Sequence, residues 1–304
     1  MPAQSNASRG IVYLCLGVLV FSLQDVIIKQ VSGNYALTEV VALRSLVGVP
    51  IVLALVLRET RWRALFTPGW PTLFWRSVIM FGAYTSYYMA FPALPLADAV
   101  ALYFTVPLFV SALAGPFLGE RVDWKVWIGV LLGFAGAMIM LRPGSGLFEP
   151  AALLSLLAAG LYGTAMLMAR KLGTVHPASV MAFHQNSVFL LGALVVAASV
   201  QLAGVGEVSH PSLNFLTRSW VMPTLFDGAL IASCGVVAAI GTVLLTSAYR
   251  VAPASTVAPF EYTGMLWAPL WGFLFFAETP RWTTLLGAAI VALAGWLATR
   301  TIKR

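Results

Sequence analysis

The chain has 304 residues, of which 60% are hydrophobic and only 10% charged. Soluble domains carry about 25% charged residues, so this chain cannot cover a water-facing surface. Its net charge of +7 falls largely in short loops between apolar runs, the pattern of a membrane protein rather than of a nucleic-acid binder.

In chain order, apolar runs of helix length are read at 10–30, 37–57, 71–91, 96–118, 124–141, 149–170, 177–202, 227–249, 254–277 and 281–300. Most approach the ~20 residues that cross ~30 Å of hydrocarbon. Their continuous apolarity argues against barrel strands, which alternate. The expected fold class is all-α and polytopic, with ten transmembrane helices in a lipid bilayer. The first run has no small-residue cleavage site and is expected to stay as a span. Two linkers are long, and "AGVGEVSHPSLNFLTRSWVMPT" at 203–224 has room for a short interfacial helix. With the N-terminus inside, twelve Lys and Arg lie on the cytoplasmic side and four on the other. That count predicts both termini in the cytoplasm, across a bacterial inner membrane. Cys15 and Cys234 both sit in apolar runs and supply neither a disulfide framework nor a metal set.

The first helix carries Asp25 and Lys29, four residues apart and on one face in the favourable order. They read as a self-neutralised pair near the outer mouth or as a gate and zwitterion contact. Gly17, Phe21, Gln24 and Ile28 form a neighbouring stripe with access to a cavity. Arg44 in the second helix needs an anion or carbonyls, which makes it a candidate for structural pairing, gating or a substrate carboxylate. In the third helix Tyr84, Tyr87, Tyr88 and Phe91 share one face, either a packing seam or a cavity wall. Asp98 and Asp227 lie near helix starts, where a carboxylate suits the helix dipole. In the seventh helix His184, Gln185 and Asn186 point in different directions; His184 is a candidate for coupling and also for a structural bond. The ninth run begins Pro-Phe-Glu-Tyr, which places Glu261 about 10 Å from its cytoplasmic end. An acid at that depth is a candidate for substrate binding or proton coupling. Pro259, Gly264 and Pro269 are candidate flexing points around it, and Trp267 a candidate wall. Rows of small residues, Gly129, Gly133 and Ala137 in helix five and Gly287, Val291 and Gly295 in helix ten, predict that these two helices pack together.

The halves of the chain match. A shift of 158 pairs "FLGERVDWKVWIG" with "FFAETPRWTTLLG", Pro95 with Pro253 and Thr105 with Thr263; a shift of 141 pairs Phe21 with Tyr162, Lys29 with Arg170 and Arg44 with Gln185. Under the first shift Tyr84, Tyr88 and Phe91 fall on Thr242, Thr246 and Tyr249, while Tyr103 and Phe104 fall on Glu261 and Tyr262. An odd number of helices per repeat inverts the second copy, which predicts two inverted five-helix repeats, 1–146 and 147–304, with a site at their interface. Gln24, Tyr84, Tyr88, Tyr103, Tyr162, Thr242, Thr246, Glu261, Tyr262 and Trp267 are the expected cavity residues.

"LGER-x-x-W-x-x-W-x-G…GFAGAMIM" in the first half and "VAPFEYTGMLWAPLWGFLFFAETP" in the second resemble the EamA-type repeat of the drug/metabolite transporter superfamily. "VVALRSLVGVP" and "MAFHQNSVFLLGAL" resemble the second helix of each repeat. The resemblance covers essentially the whole chain and implies export of small metabolites. Within the superfamily the chain is similar to YddG-type exporters of aromatic and other amino acids, although no motif separates these from exporters of cations, nucleotide-related compounds or sugars. The sequence has no phosphate-cradling G-x-x-x-x-G-K-[ST] loop, so direct ATP use is not expected. Nor does it carry H-E-x-x-H, G-x-S-x-G or an acid cluster, which argues against an intramembrane enzyme. A small-molecule substrate and no cofactor are expected, with the monomer as the working unit and a dimer left open.

Overall fold

The computed structural model describes residues 3–94, 96–120, 122–141, 150–205, 208–276, and 282, 283, 286, 287, 289, 290, 293 and 294. Side chains at 3–5, 96–98, 101, 137, 140, 141, 268, 269, 272 and 276 are outside this description. The tenth helix lies mostly beyond it, with Pro95, Glu278 and Gly295, as do the side chains of Asp98 and Pro269.

Twelve α-helices span the described residues: α1 Ala3–Val31, α2 Leu37–Glu59, α3 Trp70–Met89, α4 Leu96–Tyr103, α5 Val106–Leu118, α6 Trp124–Leu141, α7 Pro150–Leu172, α8 Ala178–Leu202, α9 Pro211–Thr217, α10 Leu225–Val251, α11 Ala254–Val257 and α12 Gly264–Phe276. Tight 3-10 turns occupy Trp62–Phe66 and Ala258–Thr263. By length and composition α2, α7, α8, α10 and most of α1 can each cross a membrane. The fold is that of a polytopic helical membrane protein, and α9 is the short helix expected in the 203–224 linker.

Two expected spans are broken. The run at 96–118 divides into α4 and α5, and the run at 254–277 divides into α11, a 3-10 turn and α12. Pro107 lies in the first turn of α5 and Pro259 in the first turn of the 3-10 segment. Proline has no N–H to give and its ring crowds the preceding turn, so each run restarts there. The repeat is visible at these breaks. Thr105 Oγ1 donates to the Leu102 carbonyl, and its expected partner Thr263 donates to the Phe260 carbonyl, both at 2.7 Å. Bonds of this kind compete with the helical ladder and favour a bend.

The most extensive helix contacts are α1 with α10, α2 with α8, and α3 with α7. Under the expected pairing of repeats, α1–α10 and α3–α7 are exchanged and α2–α8 maps on itself, which is a pseudo-two-fold arrangement. Close backbone approach tightens it: a methyl group on Gly235 in α10 would collide with the Arg44 carbonyl and Val47 of α2. The expected packing of helix five against helix ten falls largely outside the described residues; at Gly133 the neighbour is the broken ninth run. The ring of Tyr262 fills the space there, and its hydroxyl donates to the Val130 carbonyl at 2.9 Å.

The 203–224 linker is tied to the α1–α2 connection. Arg218 Nη1 donates to the Gly33 carbonyl at 2.6 Å, Trp220 Nε1 to Thr38 Oγ1 at 2.9 Å, and the Val221 N–H to Glu39 Oε2 at 3.1 Å. Thr224 caps α10 by accepting from the Asp227 N–H, and Tyr35 donates its hydroxyl to Asp227 Oδ2 at 2.7 Å. That donated bond, with burial, pushes the Tyr35 phenol above its ordinary value.

Candidate functional site

A cavity of about 1030 Å³, its open mouth included, lies between α1, α3, α4, α7, α10 and the broken ninth run. It runs from Lys29, near the end of α1, down to Tyr162 and Glu261. Its walls are a chain of rings: Phe21 to Tyr84 at 5.7 Å, Tyr84 to Tyr88 at 5.8 Å, Tyr87 to Tyr103 at 4.5 Å and Tyr103 to Tyr162 at 5.7 Å between centroids. Such contacts give stiff apolar walls with polar tips.

Glu261 is the deepest charged group of this lining. It sits in the 3-10 turn at the break, only 5% exposed. One oxygen, Oε1, accepts from the Tyr162 hydroxyl at 3.1 Å and from the Tyr249 hydroxyl at 3.0 Å. The break matters because it brings a carboxyl from the ninth run between α7 and α10. Asp25 and Lys29 line the same cavity nearer its mouth. Two carboxyl groups and one ammonium therefore face one aromatic chamber.

Of the expected residues, the structure brings Asp25, Lys29, Tyr84, Tyr88, Tyr103, Tyr162 and Glu261 together. The others stand behind or away from the wall. Gln24 is buried and donates through Nε2 to the Tyr88 hydroxyl at 2.7 Å, so it positions a wall residue. Thr242 is buried outside the lining, and Thr246 accepts from Arg76 Nη2 at 3.3 Å. Those two members of the stripe expected on the second repeat therefore lie off the chamber, while the third, Tyr249, donates to Glu261. Tyr262 packs on Gly133 and Phe104. Trp267 stacks on Trp271 at 6.3 Å, and it is Trp271 that lines the cavity, donating Nε1 to Ser22 Oγ at 2.8 Å. Gly17 and Ile28 pack in the core, which leaves Phe21 as the cavity residue of that stripe. His184 bonds the Val180 carbonyl of its own helix through Nδ1 at 2.9 Å and does not line the chamber. Arg44 is buried behind Tyr84, its guanidinium carbon 5.7 Å from that ring and 5.3 Å from Phe189.

Sequence reasoning did not single out Arg76 or Tyr249. Arg76 is fully buried and ties three helices to α3, donating to the Ala165 carbonyl, Gln185 Oε1 and Thr246 Oγ1 at 3.2–3.3 Å. An arginine inside an apolar run was the available signal. For Tyr249, the signal was its pairing with Phe91 in the repeat.

The end of the bundle away from Lys29 is shut. Glu120 pairs with Arg170 at 3.5 Å and accepts from the Ala254 and Ser255 N–H groups at the start of α11, each at 3.4 Å. Arg170 donates to the Arg250 carbonyl at 2.9 Å, and Arg250 donates Nε to the Gly173 carbonyl at 2.8 Å. This latch joins α5, α7, α10 and α11. The chamber is lined toward the Lys29 end of α1, and this latch stands at the other end of the bundle.

The pseudopaline exporter of Pseudomonas aeruginosa is 29% identical over 97% of each chain. The riboflavin transporter of Rhizobium johnstonii is 29% identical over 99% of this chain and 94% of its own. The S-adenosylmethionine uptake transporter of Rickettsia bellii is 28% identical over 71% and 68%. A solved crystal structure superposes over 100% of both chains with a TM-score of 0.78 at 19% identity, which supports the fold alone. The EamA-like transporter family model matches residues 8–142 and again 149–300. With nearly the whole chain covered by two copies of that repeat, the protein belongs to the EamA-like transporter family.

Proposed function

We propose that this protein is a secondary transporter that exports amino acids, aromatic ones among them, by alternating access across a bacterial inner membrane. The observation that carries the reading is the placement of Asp25 and Glu261 in one chamber walled by tyrosines. A carboxylate attracts an ammonium group, and a ring face adds cation–π attraction. The phenols accept a flat or apolar side chain. The two repeats, divided near residue 146, rock about the chamber with the breaks before Pro107 and Pro259 as flexing points. Glu261 carries the coupling proton. The charge count across loops supports a cytoplasmic position for both termini, and hence for the latched end.

The test is transport in proteoliposomes of labelled phenylalanine, with and without a pH gradient. Wild type accumulates substrate in response to the gradient, and Glu261→Gln loses that response. Equal gradient-driven rates for both proteins reject the proton role. Thermal stabilisation across amino acids and drugs locates the substrate, since a ligand that binds the native state raises the melting temperature. No response to any amino acid rejects the amino-acid reading.

The relatives favour a second reading. Riboflavin and S-adenosylmethionine, named for two of them, each carry a flat heterocycle that the tyrosine walls could stack. Stabilisation by these compounds and not by amino acids selects that alternative.

A further inference from the structure

Arg44 presents a problem that its neighbours do not solve. It is 2% exposed, and its Nε and Nη1 make no hydrogen bond among the described residues. It forms no ion pair there either. The rings of Tyr84 and Phe189 lie near its guanidinium, and the Asp25 carboxyl is near enough to interact with its charge without bonding it. Buried N–H groups left without an acceptor are costly, and a guanidinium with open N–H groups suits a carboxylate above all. Arg76 shows the contrast: the same residue type, fully buried, spends Nε, Nη1 and Nη2 on three named acceptors.

Tyr84 lines the cavity on one side and covers Arg44 on the other. Its hydroxyl makes no hydrogen bond among the described residues; ring contacts with Phe21, Tyr88 and Phe189 hold it. Tyr88 and Tyr162, by comparison, are pinned through their hydroxyls to Gln24 and Glu261. The Arg44 backbone cannot retreat, because α10 crosses it at Gly235.

We infer that Arg44 is an anion subsite, closed in this state, which takes the carboxylate of the transported substrate when Tyr84 turns aside. The inference rests on reading the chamber as a substrate site. It orients the substrate, with its carboxylate toward α2 and its ammonium toward Asp25 and Glu261, and it makes Tyr84 a cover as well as a wall.

The experiment uses the full chain in detergent and three probes, titrated by thermal shift: L-phenylalanine, phenethylamine without the carboxylate, and 3-phenylpropionate without the amine. Wild type is expected to prefer phenylalanine over phenethylamine at least tenfold. Arg44→Gln is expected to erase that preference and to lose 3-phenylpropionate binding. Arg44→Lys, which keeps the charge but not the fork, serves if Arg44→Gln does not fold, and its preference falls at least severalfold. Equal wild-type binding of phenylalanine and phenethylamine overturns the assignment. So does loss of the preference in Lys29→Gln with its retention in Arg44→Gln, which puts the carboxylate at the mouth. A shift by 3-phenylpropionate alone, lost in Arg44→Gln, supports the subsite while rejecting the amino-acid reading. No shift by any probe rejects both.

Discussion

The ring of Tyr262 lies where a side chain on Gly133 would have to be, and its hydroxyl holds the Val130 carbonyl one helical turn away at 2.9 Å. This knob joins the 3-10 turn that carries Glu261 to α6, so a scaffold contact sits one residue from the chamber. Gly133→Ala forces the ring to shift, and overpacking of this kind costs about 1–3 kcal/mol. Thermal unfolding in detergent is expected to show a lower midpoint for Gly133→Ala. Tyr262→Phe loses one hydrogen bond, worth about 1 kcal/mol. A Gly133→Ala protein as stable as wild type would show that this contact yields without strain.

Tyr162 and Tyr249 donate to the same oxygen of Glu261. Each phenol therefore positions the carboxyl, and each backs up the other. Tyr162→Phe and Tyr249→Phe singly are expected to slow transport by severalfold, and the double variant by more than the product of the two. The measurement is initial rate in proteoliposomes, analysed as a double-mutant cycle. Strictly multiplicative effects would argue that the phenols act independently of a shared carboxylate.

Glu120 reaches Arg170 and the start of α11 together. Its removal loosens the shut end without touching the chamber. In a variant lacking Cys15 and Cys234, a cysteine placed at the buried Val257 reports the opening. Glu120→Ala is expected to raise its labelling by a water-soluble maleimide severalfold. Unchanged labelling would mean that closure is set elsewhere.

His176, in the connection between α7 and α8, is buried with Nδ1 3.2 Å from Thr67 Oγ1. Burial lowers its pKa, with a smaller contribution from His184. The unfolded chain, near the ordinary value of about 6.5, then takes up the proton first as pH falls. Stability from this group is complete above about pH 6.5 and is lost as pH drops from there through the lowered folded-state value. The melting temperature of wild type should fall between pH 7 and 5 more steeply than that of His176→Gln. Parallel curves would assign the slope to other groups.

Charge scarcity and run length made the membrane class legible, because hydrocarbon admits little else. Repeat spacing made Thr105 and Thr263 equivalent before their matching bonds were seen. The same spacing misplaced Thr242 and Thr246, since a helical face shows which residues share a side and not what lies opposite. Arg76 claims Thr246 from α3, so the stripe that lines the chamber in one repeat meets a buried cation at Thr246 in the other.

What the sequence by itself determined is the solvent, the count of spans and the pairing of the halves, all set by local composition and periodicity. Only the tertiary structure decided which polar groups meet. Glu261 reaches Tyr162 and Tyr249 because the helix breaks at Pro259 and turns the carboxyl between two neighbours, while Arg44 Nε and Nη1 find no acceptor among the described residues. Contacts of that kind depend on helix rotation and crossing, which no single run of residues encodes.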